Sequence, residues 1–336
     1  MQNHNPLLDV LTREGVLLTV SVHFWRGCKK LKAEDLGLDP DHVSDRLISL
    51  GQKRLLPKEA TAVLALVEGR AHALVEASTF PFLNGLAHFV PNPKLADVIG
   101  KLKELETEFW QAKEQFLGRY GALRENAAQE WQAMARKLVP DPERVVATIE
   151  ASFPPAGQMD RFFGFEVQLF QIAVPDRLGL ETLALGDQAE LIRARQQAAQ
   201  AAAQKIRSDV ETFVADCVAT LREQTAQLCQ EMLASINTSE TGVHQKTLNR
   251  LVRFIEQFKQ MNFVNDTAME EQLEAVRQEL LSKTAEEYRD SATARNRLVQ
   301  GLAQLRDTAK GLARQDATEL VQRFGEMGRR RFHLAA

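Results

Sequence analysis

The sequence predicts a mainly α protein: an elongated antiparallel bundle of long, coiled-coil-like helices with a small two-stranded α+β head. Three observations predict it. Apolar residues recur at alternating steps of three and four from 95 to 138 without an interrupting proline. The same spacing returns over 188–236 and 267–331. Only two segments, 16–25 and 165–174, read as strands.

The first stripe runs Leu95, Val98, Leu102, Leu105, Phe109, Ala112, Phe116, Tyr120, Leu123, Ala127, Trp131, Met134, Leu138. Its period of about 3.5 residues per turn is that of a coiled-coil seam. A single helix of that length extends roughly 65 Å, several times an ordinary globular helix. The strand at 16–25 alternates Val16, Leu18, Val20, Val22 and Phe24 with Thr19, Ser21 and His23. The strand at 165–174 lies between Gly164 and Pro175, and its apolar face changes sides, which predicts a bulge or burial on both faces. The two are expected to pair as a ribbon covered by helices, since a lone ribbon is marginally stable.

Helix boundaries follow from caps and prolines. Pro57 precedes a helix over 60–78, and Asn92–Pro93 opens the long one. Asp141-Pro142-Glu143 repeats that signature before a short helix ending near 153–155. The second long helix, 188–236, has a seam of Ile192, Ala199, Ile206, Val210, Phe213, Cys217, Leu221, Leu228 and Met232. A third helix spans 243–263 with Leu248, Val252, Ile255 and Phe258. Asn265-Asp266-Thr267 starts the last helical stretch, with breaks expected near 282–284 or at Ser291, and heptads at Leu298, Leu302, Leu305, Ala309 and Leu312. The expected organisation is a head of 1–92 with 141–187 and a bundle of 93–140 with 188–336.

At 336 residues the chain can bury a real core, and length alone suggests about two domains. A net charge of −3 provides no global field toward nucleic acid or acidic lipid. The longest apolar run, 15–25, is too short to span a bilayer. The opening residues lack the basic region, apolar core and cleavage site of a secretory signal. Cys28, Cys217 and Cys229 have no paired spacing, and the latter two sit in helical pattern as small hydrophobes. A reducing cytoplasm is the expected setting.

No catalytic constellation is present in the sequence: no phosphate-cradling glycine loop, no Gly-x-Ser-x-Gly elbow and no paired metal ligands. Glu68 and His72 lie four apart on a helix, a pair more often solvated or hydrogen-bonded than metal-binding, and His23 points outward from its strand. The expectation is a non-enzymatic protein without cofactor or metal. Two segments are candidates for partner binding. Residues 79–93 hold Phe80, Phe82, Leu83, Leu86, Phe89 and Val90, an apolar patch if exposed and a seal on the head if packed back on the strands. The C-terminal end is basic, with Arg323, Arg329, Arg330 and Arg331, which suits either the helix dipole or an acidic partner. Nucleic acid is the lesser use of that end, because only Phe324 and Phe332 interleave its charges.

The run Phe80-Pro81-Phe82-Leu83-Asn84-Gly85, then Phe89-Val90-Pro91 leading into a long helix, resembles an uncharacterised bacterial family known only as a domain of unknown function. So does Phe163-Gly164-Phe165-Glu166-Val167-Gln168-Leu169-Phe170-Gln171-Ile172-Ala173-Val174-Pro175. That family occurs on phages, plasmids and integrative elements. Its members are often encoded beside a MoxR-type AAA+ ATPase and a von Willebrand factor A-domain protein. The resemblance covers most of the chain and brings no catalytic residues. It implies a protein partner, the ATPase and the A-domain protein, and a role as adaptor, scaffold or substrate in remodelling, with phage or plasmid conflict as the setting. Homo-oligomerisation through the long seams fits the same reading. Two other classes stand beside it: a membrane-active helical protein that inserts the apolar loop, and a DNA-handling accessory of a mobile element.

Overall fold

The structure, a computed structural model, describes residues 6–33, 50–138, 141–172, 189–238, 242–280, 283–315 and 318–332. In chain order they form α1 (Pro6–Glu14), β1 (Gly15–His23), β2 (Cys28–Lys30), β3 (Gln52–Arg54), α2 (Ala62–Ser78), β4 (Phe80–Phe82), β5 (Ala87–Pro91) and α3 (Asn92–Leu138). Then come α4 (Pro142–Glu150), β6 (Gly164–Phe170), α5 (Ala189–Thr238), α6 (Gln245–Met261), α7 (Thr267–Leu280), α8 (Ala285–Asp290), α9 (Ala292–Ala313) and α10 (Thr318–Phe332). The chain is mainly helical with a small strand region, the class its periodicity predicts.

The sheet is larger than a two-stranded ribbon. The two expected strands are β1 and β6 and they are neighbours, but β4 and β5 extend the same sheet to the order β4-β5-β1-β6, and β2 pairs with β3 separately. In the register of β1 and β5, Gly15 faces Pro91 and Leu18 faces His88. A Cβ at Gly15 would stand 2.4 Å from both the Val90 carbonyl oxygen and the Phe89 ring, so this close approach admits only glycine.

By contacts the chain divides into two units, one of 1–18, 78–96 and 169–336, the other of 19–77 and 97–168. This grouping cuts the chain differently from the head and bundle expected above, with boundaries falling inside β1, α3 and β6 and before the last residue of α2.

In the first unit α5 packs along α9, and α1, α6 and α10 also pack on α5, while α7 and α8 lie on α9 and α1 lies against α10. The seam positions of α5 behave as expected: Val210, Phe213, Cys217, Leu221, Leu228 and Met232 are buried, and Ile192 lies outside the described side chains. The last helical stretch breaks at both expected places. Thr284 forms a capping box with Glu287, and Ser291 accepts from the Ala294 N–H at 3.2 Å.

The same unit encloses a charged pair. Arg222 Nε donates to Asp266 Oδ2 at 2.6 Å and Arg222 Nη1 donates to the Leu312 carbonyl at 2.7 Å, with both side chains about 5% exposed or less. Asp266 is also the N-cap of α7, accepting from the Met269 N–H at 3.3 Å, and its own N–H donates to Asn262 Oδ1 at 2.8 Å. One guanidinium therefore ties the middle of α5 to the start of α7 and the last turn of α9.

In the second unit α3 lays its stripe on an aromatic cluster. Trp25 meets Tyr120 edge-on at 5.8 Å and Phe153 at 6.0 Å, and Phe116 meets Phe163 at 5.7 Å. The Tyr120 hydroxyl donates to the Pro154 carbonyl at 2.7 Å, and Asp141 caps α4 through the Arg144 N–H. Near its end the stripe rotates: Met134 is exposed while Ala135 is buried. A straight α-helix drifts about 20° per heptad against a 3.5-residue repeat, so over several heptads the buried position advances by one residue.

Removing Arg222 strands a buried carboxylate. Arg222→Ala is expected to destabilise the first unit by about 3–5 kcal/mol, read as a lower urea midpoint; a change within about 1 kcal/mol would mean the pair is not sealed from water.

Candidate docking surface

Residues 79–93 are neither loop nor patch. They fold as a hairpin, with β4 and β5 antiparallel and Phe80 opposite Phe89 and Phe82 opposite Ala87. Strand alternation divides its side chains. Phe80, Phe82, Phe89 and Val90 are buried. Phe82 meets Phe213 of α5 edge-on at 4.8 Å, Phe89 meets Phe263 at 4.8 Å, and Phe263 meets Phe324 of α10 at 5.6 Å. These four hairpin residues serve the core of the first unit rather than its surface, the packed-back alternative of the two readings.

The hairpin's other two candidates stand outside. Leu83 is 43% exposed and Leu86 is 73% exposed. They flank Asn84 and Gly85 in a four-residue connection closed by Gly85 N–H to Phe82 carbonyl at 3.1 Å and Leu86 N–H to Leu83 carbonyl at 3.2 Å. Leu83, Asn84 and Gly85 have φ of 48°, 57° and 84°. Positive φ at both central residues is what a hairpin turn of the I′ type requires, and asparagine and glycine meet it readily. Leucine does not: a left-handed backbone at a residue with a large side chain costs roughly 1–2 kcal/mol. The turn thus holds an apolar side chain in solvent at a position where folding alone favours asparagine or glycine.

Beside the tip lies a groove of about 620 Å³ lined by Phe80, Pro81 and Leu83 on the hairpin side and by Ile206, Asp209 and Phe213 among others on α5. Its floor is apolar and its rim acidic. Asp209 accepts from Lys205 Nζ at 3.0 Å, and Asp216 makes no ion pair among the described residues. Cys217 lines the same groove, yet burial, with Asp216 as the smaller cause, pushes its thiol well above the ordinary range. Burial also pushes Cys229 up to about 12, against a smaller lowering by Arg306. Both shifts disfavour the thiolate, the nucleophilic form.

The remaining sequence candidates go elsewhere. Arg323 pairs with Glu319 one turn earlier at 2.6 Å on an exposed face, a contact of little energetic weight. Arg329, Arg330 and Arg331 belong to α10, and their side chains lie outside the described residues. Glu68 accepts from Arg26 Nη2 at 2.6 Å, so it is already engaged by a cation of its own unit. His23 is exposed, with its ring over Gly164, where a Cβ would meet the ring at 2.2 Å. Among the described residues no group of three or more metal-ligating side chains converges, and no helix is long and apolar enough to cross a membrane.

The sequence offers the hairpin residues together, as an exposed patch or as a packed-back seal, and does not show their division between core and tip. Asn84–Gly85 between two apolar runs is the hairpin signal that separates them. The acidic rim of α5 went unseen as well; its Asp209 and Asp216 lie seven residues apart on one helical face.

Residues 12–307 match the family described as Protein of unknown function (DUF3150). No curated protein and no solved structure matches the chain.

Three outcomes follow from the tip and from the buried titratable groups. Leu83→Asn should raise stability by about 1 kcal/mol, seen as a higher urea midpoint; a loss would show that groove contacts outweigh the backbone strain. Stability should also fall as pH rises above about 9. Cys217, Cys229, Tyr120 and Tyr288 all hold their protons above their ordinary values of 9.0 and 10.0, burial being the main cause. The unfolded chain therefore releases protons first, and alkali draws the equilibrium toward it. Urea midpoints at pH 8 and pH 10.5 check the sign. Dithiobis-nitrobenzoate should meanwhile label Cys28 alone in the native protein and all three thiols in guanidinium.

Proposed function

The chain belongs to the DUF3150 family, and on that premise we propose that it is a non-enzymatic adaptor that presents the Leu83–Leu86 hairpin tip to a protein partner. The observation that carries this reading is the exposed leucine held at φ 48°. Backbone strain at a surface apolar residue lowers stability, and such strain persists where contact with something else uses it. The acidic, apolar-floored groove beside the tip gives a partner segment room to lie alongside.

The family resemblance of the 80–91 and 163–175 segments supports the identity of that partner: a MoxR-type AAA+ ATPase, acting with a von Willebrand A-domain protein in a bacterial mobile element. An adaptor needs no reaction of its own, and the side chains at this surface fit that role. The groove's thiol, Cys217, is buried and pushed up by that burial, and the groove's one paired carboxylate, Asp209, is neutralised by Lys205.

Mass photometry of the chain mixed with the neighbouring ATPase and nucleotide tests the reading. A complex larger than either protein is expected, and Leu83→Asp/Leu86→Asp should abolish it while the circular dichroism of the chain stays unchanged. A complex indifferent to both substitutions, or no complex with any nucleotide, overturns the hairpin-tip reading.

A further inference from the structure

The groove beside the hairpin is half of a longer feature. A second recess of about 540 Å³ follows it along α5, lined by Glu223, Ala226, Gln230 and Ala234 and by Lys310 and Arg314 at the end of α9. The outward positions of α5 run Lys205, Asp209, Thr212, Asp216, Thr220, Glu223, Gln227, Gln230 and Ala234, in steps of three and four, with Asp209 and Thr220 half-buried and the others exposed. At about 100° per residue these positions keep to one face, and from 205 to 234 they span about 45 Å. Both recesses open on that face, the first floored by Phe80, Ile206 and Phe213, the second by small residues.

The charges on this strip are ordered. Asp209, Asp216 and Glu223 lie seven residues apart, so they repeat every ~10.5 Å along the helix. Asp216 and Glu223 make no ion pair among the described residues. Beyond them Lys310, donating to Gln230 at 3.3 Å, and the exposed Arg314 line the recess, and the carboxylate that shares it, Glu231, is already paired with Arg250, so the open charge there is positive.

We infer that this strip of α5 binds one amphipathic helix of a protein partner, with basic side chains at heptad spacing over Asp216 and Glu223 and an acidic end over Lys310 and Arg314. The seven-residue repeat is what selects a helix: a second helix with the same repeat meets each carboxylate in register, while an extended strand at about 3.3 Å per residue does not. Apolar side chains of the bound helix fill the recess floored by Phe80, Ile206 and Phe213, the helix-in-groove mode. The charge reversal along the strip fixes the direction of the bound helix and rejects the opposite one. This inference rests on the adaptor reading for its partner and adds the shape and charge of the segment that the partner supplies.

The test uses the full chain and a fluorescein-labelled synthetic helix with leucines on one stripe, lysines at two heptad-spaced positions and glutamates at the end. Anisotropy should show this probe binding about tenfold tighter than its charge-reversed counterpart, and more weakly as salt screens the contacts. Asp216→Lys/Glu223→Lys should weaken it about tenfold, whereas Glu271→Lys/Glu286→Lys, with the same change in net charge on α7 and α8, should not. Equal loss in both variants, or equal binding of both probes, overturns the inference. Its failure is distinguishable from failure of the adaptor reading. An ATPase complex that needs Leu83 and Leu86 but ignores Asp216 and Glu223 sinks only the helix groove; probe binding without an ATPase complex sinks only the adaptor.

Discussion

The first unit depends on one buried guanidinium. Arg222 reaches the carboxylate of Asp266 and the carbonyl of Leu312, so three helices from distant parts of the chain meet at a single side chain. A charge in a dry interior is tolerated only when its partner is fixed, and here the partner is fixed twice, by its cap bond to Met269 and by Asn262. The pair does more than join helices. Arg222 turned inward sets the rotation of α5, and the next residue, Glu223, stands about 100° around the helix on the open side. Asp216 and Asp209 follow it at heptad intervals. The orientation of the outer acidic series is thus a consequence of the inner ion pair.

Much of this architecture was legible in the sequence, for local reasons. Helices announced themselves through three-and-four spacing, and their starts through Asp141, Asp266, Thr284 and Ser291, each of which accepts the backbone hydrogen bond its position implies. What escaped was short or nonlocal. Phe80-Pro81-Phe82 is too brief to alternate visibly and its proline argues against a strand, yet an edge strand tolerates it. The lysine-rich β2 and β3 carry no apolar pattern at all. The stripe of α3 was read as straight, and the drift that swaps Met134 for Ala135 emerges only in three dimensions. The charged strip of α5 was hidden because periodicity was followed on the buried face alone.

The hairpin joins the two themes. Its phenylalanines lock it to α5 and to Phe263, while its connection carries Leu83 and Leu86 outward, Leu83 at a backbone angle that leucine disfavours. A rigid base thus carries a strained apolar tip, and the packing of the base keeps the turn from relaxing the strain.

The packing of α1 against α10 carries a consequence in time. On the ribosome α1 is made long before its mate, which begins only at residue 318, and at about 5–20 residues per second the interval is on the order of tens of seconds. Leu7, Leu8, Val10 and Leu11, all buried in the finished unit, spend that interval without their final cover. The second unit, complete by residue 168, has no such delay. Nascent chains of this protein therefore carry a finished unit behind an unfinished one, and the early helix is the segment a chaperone would find first.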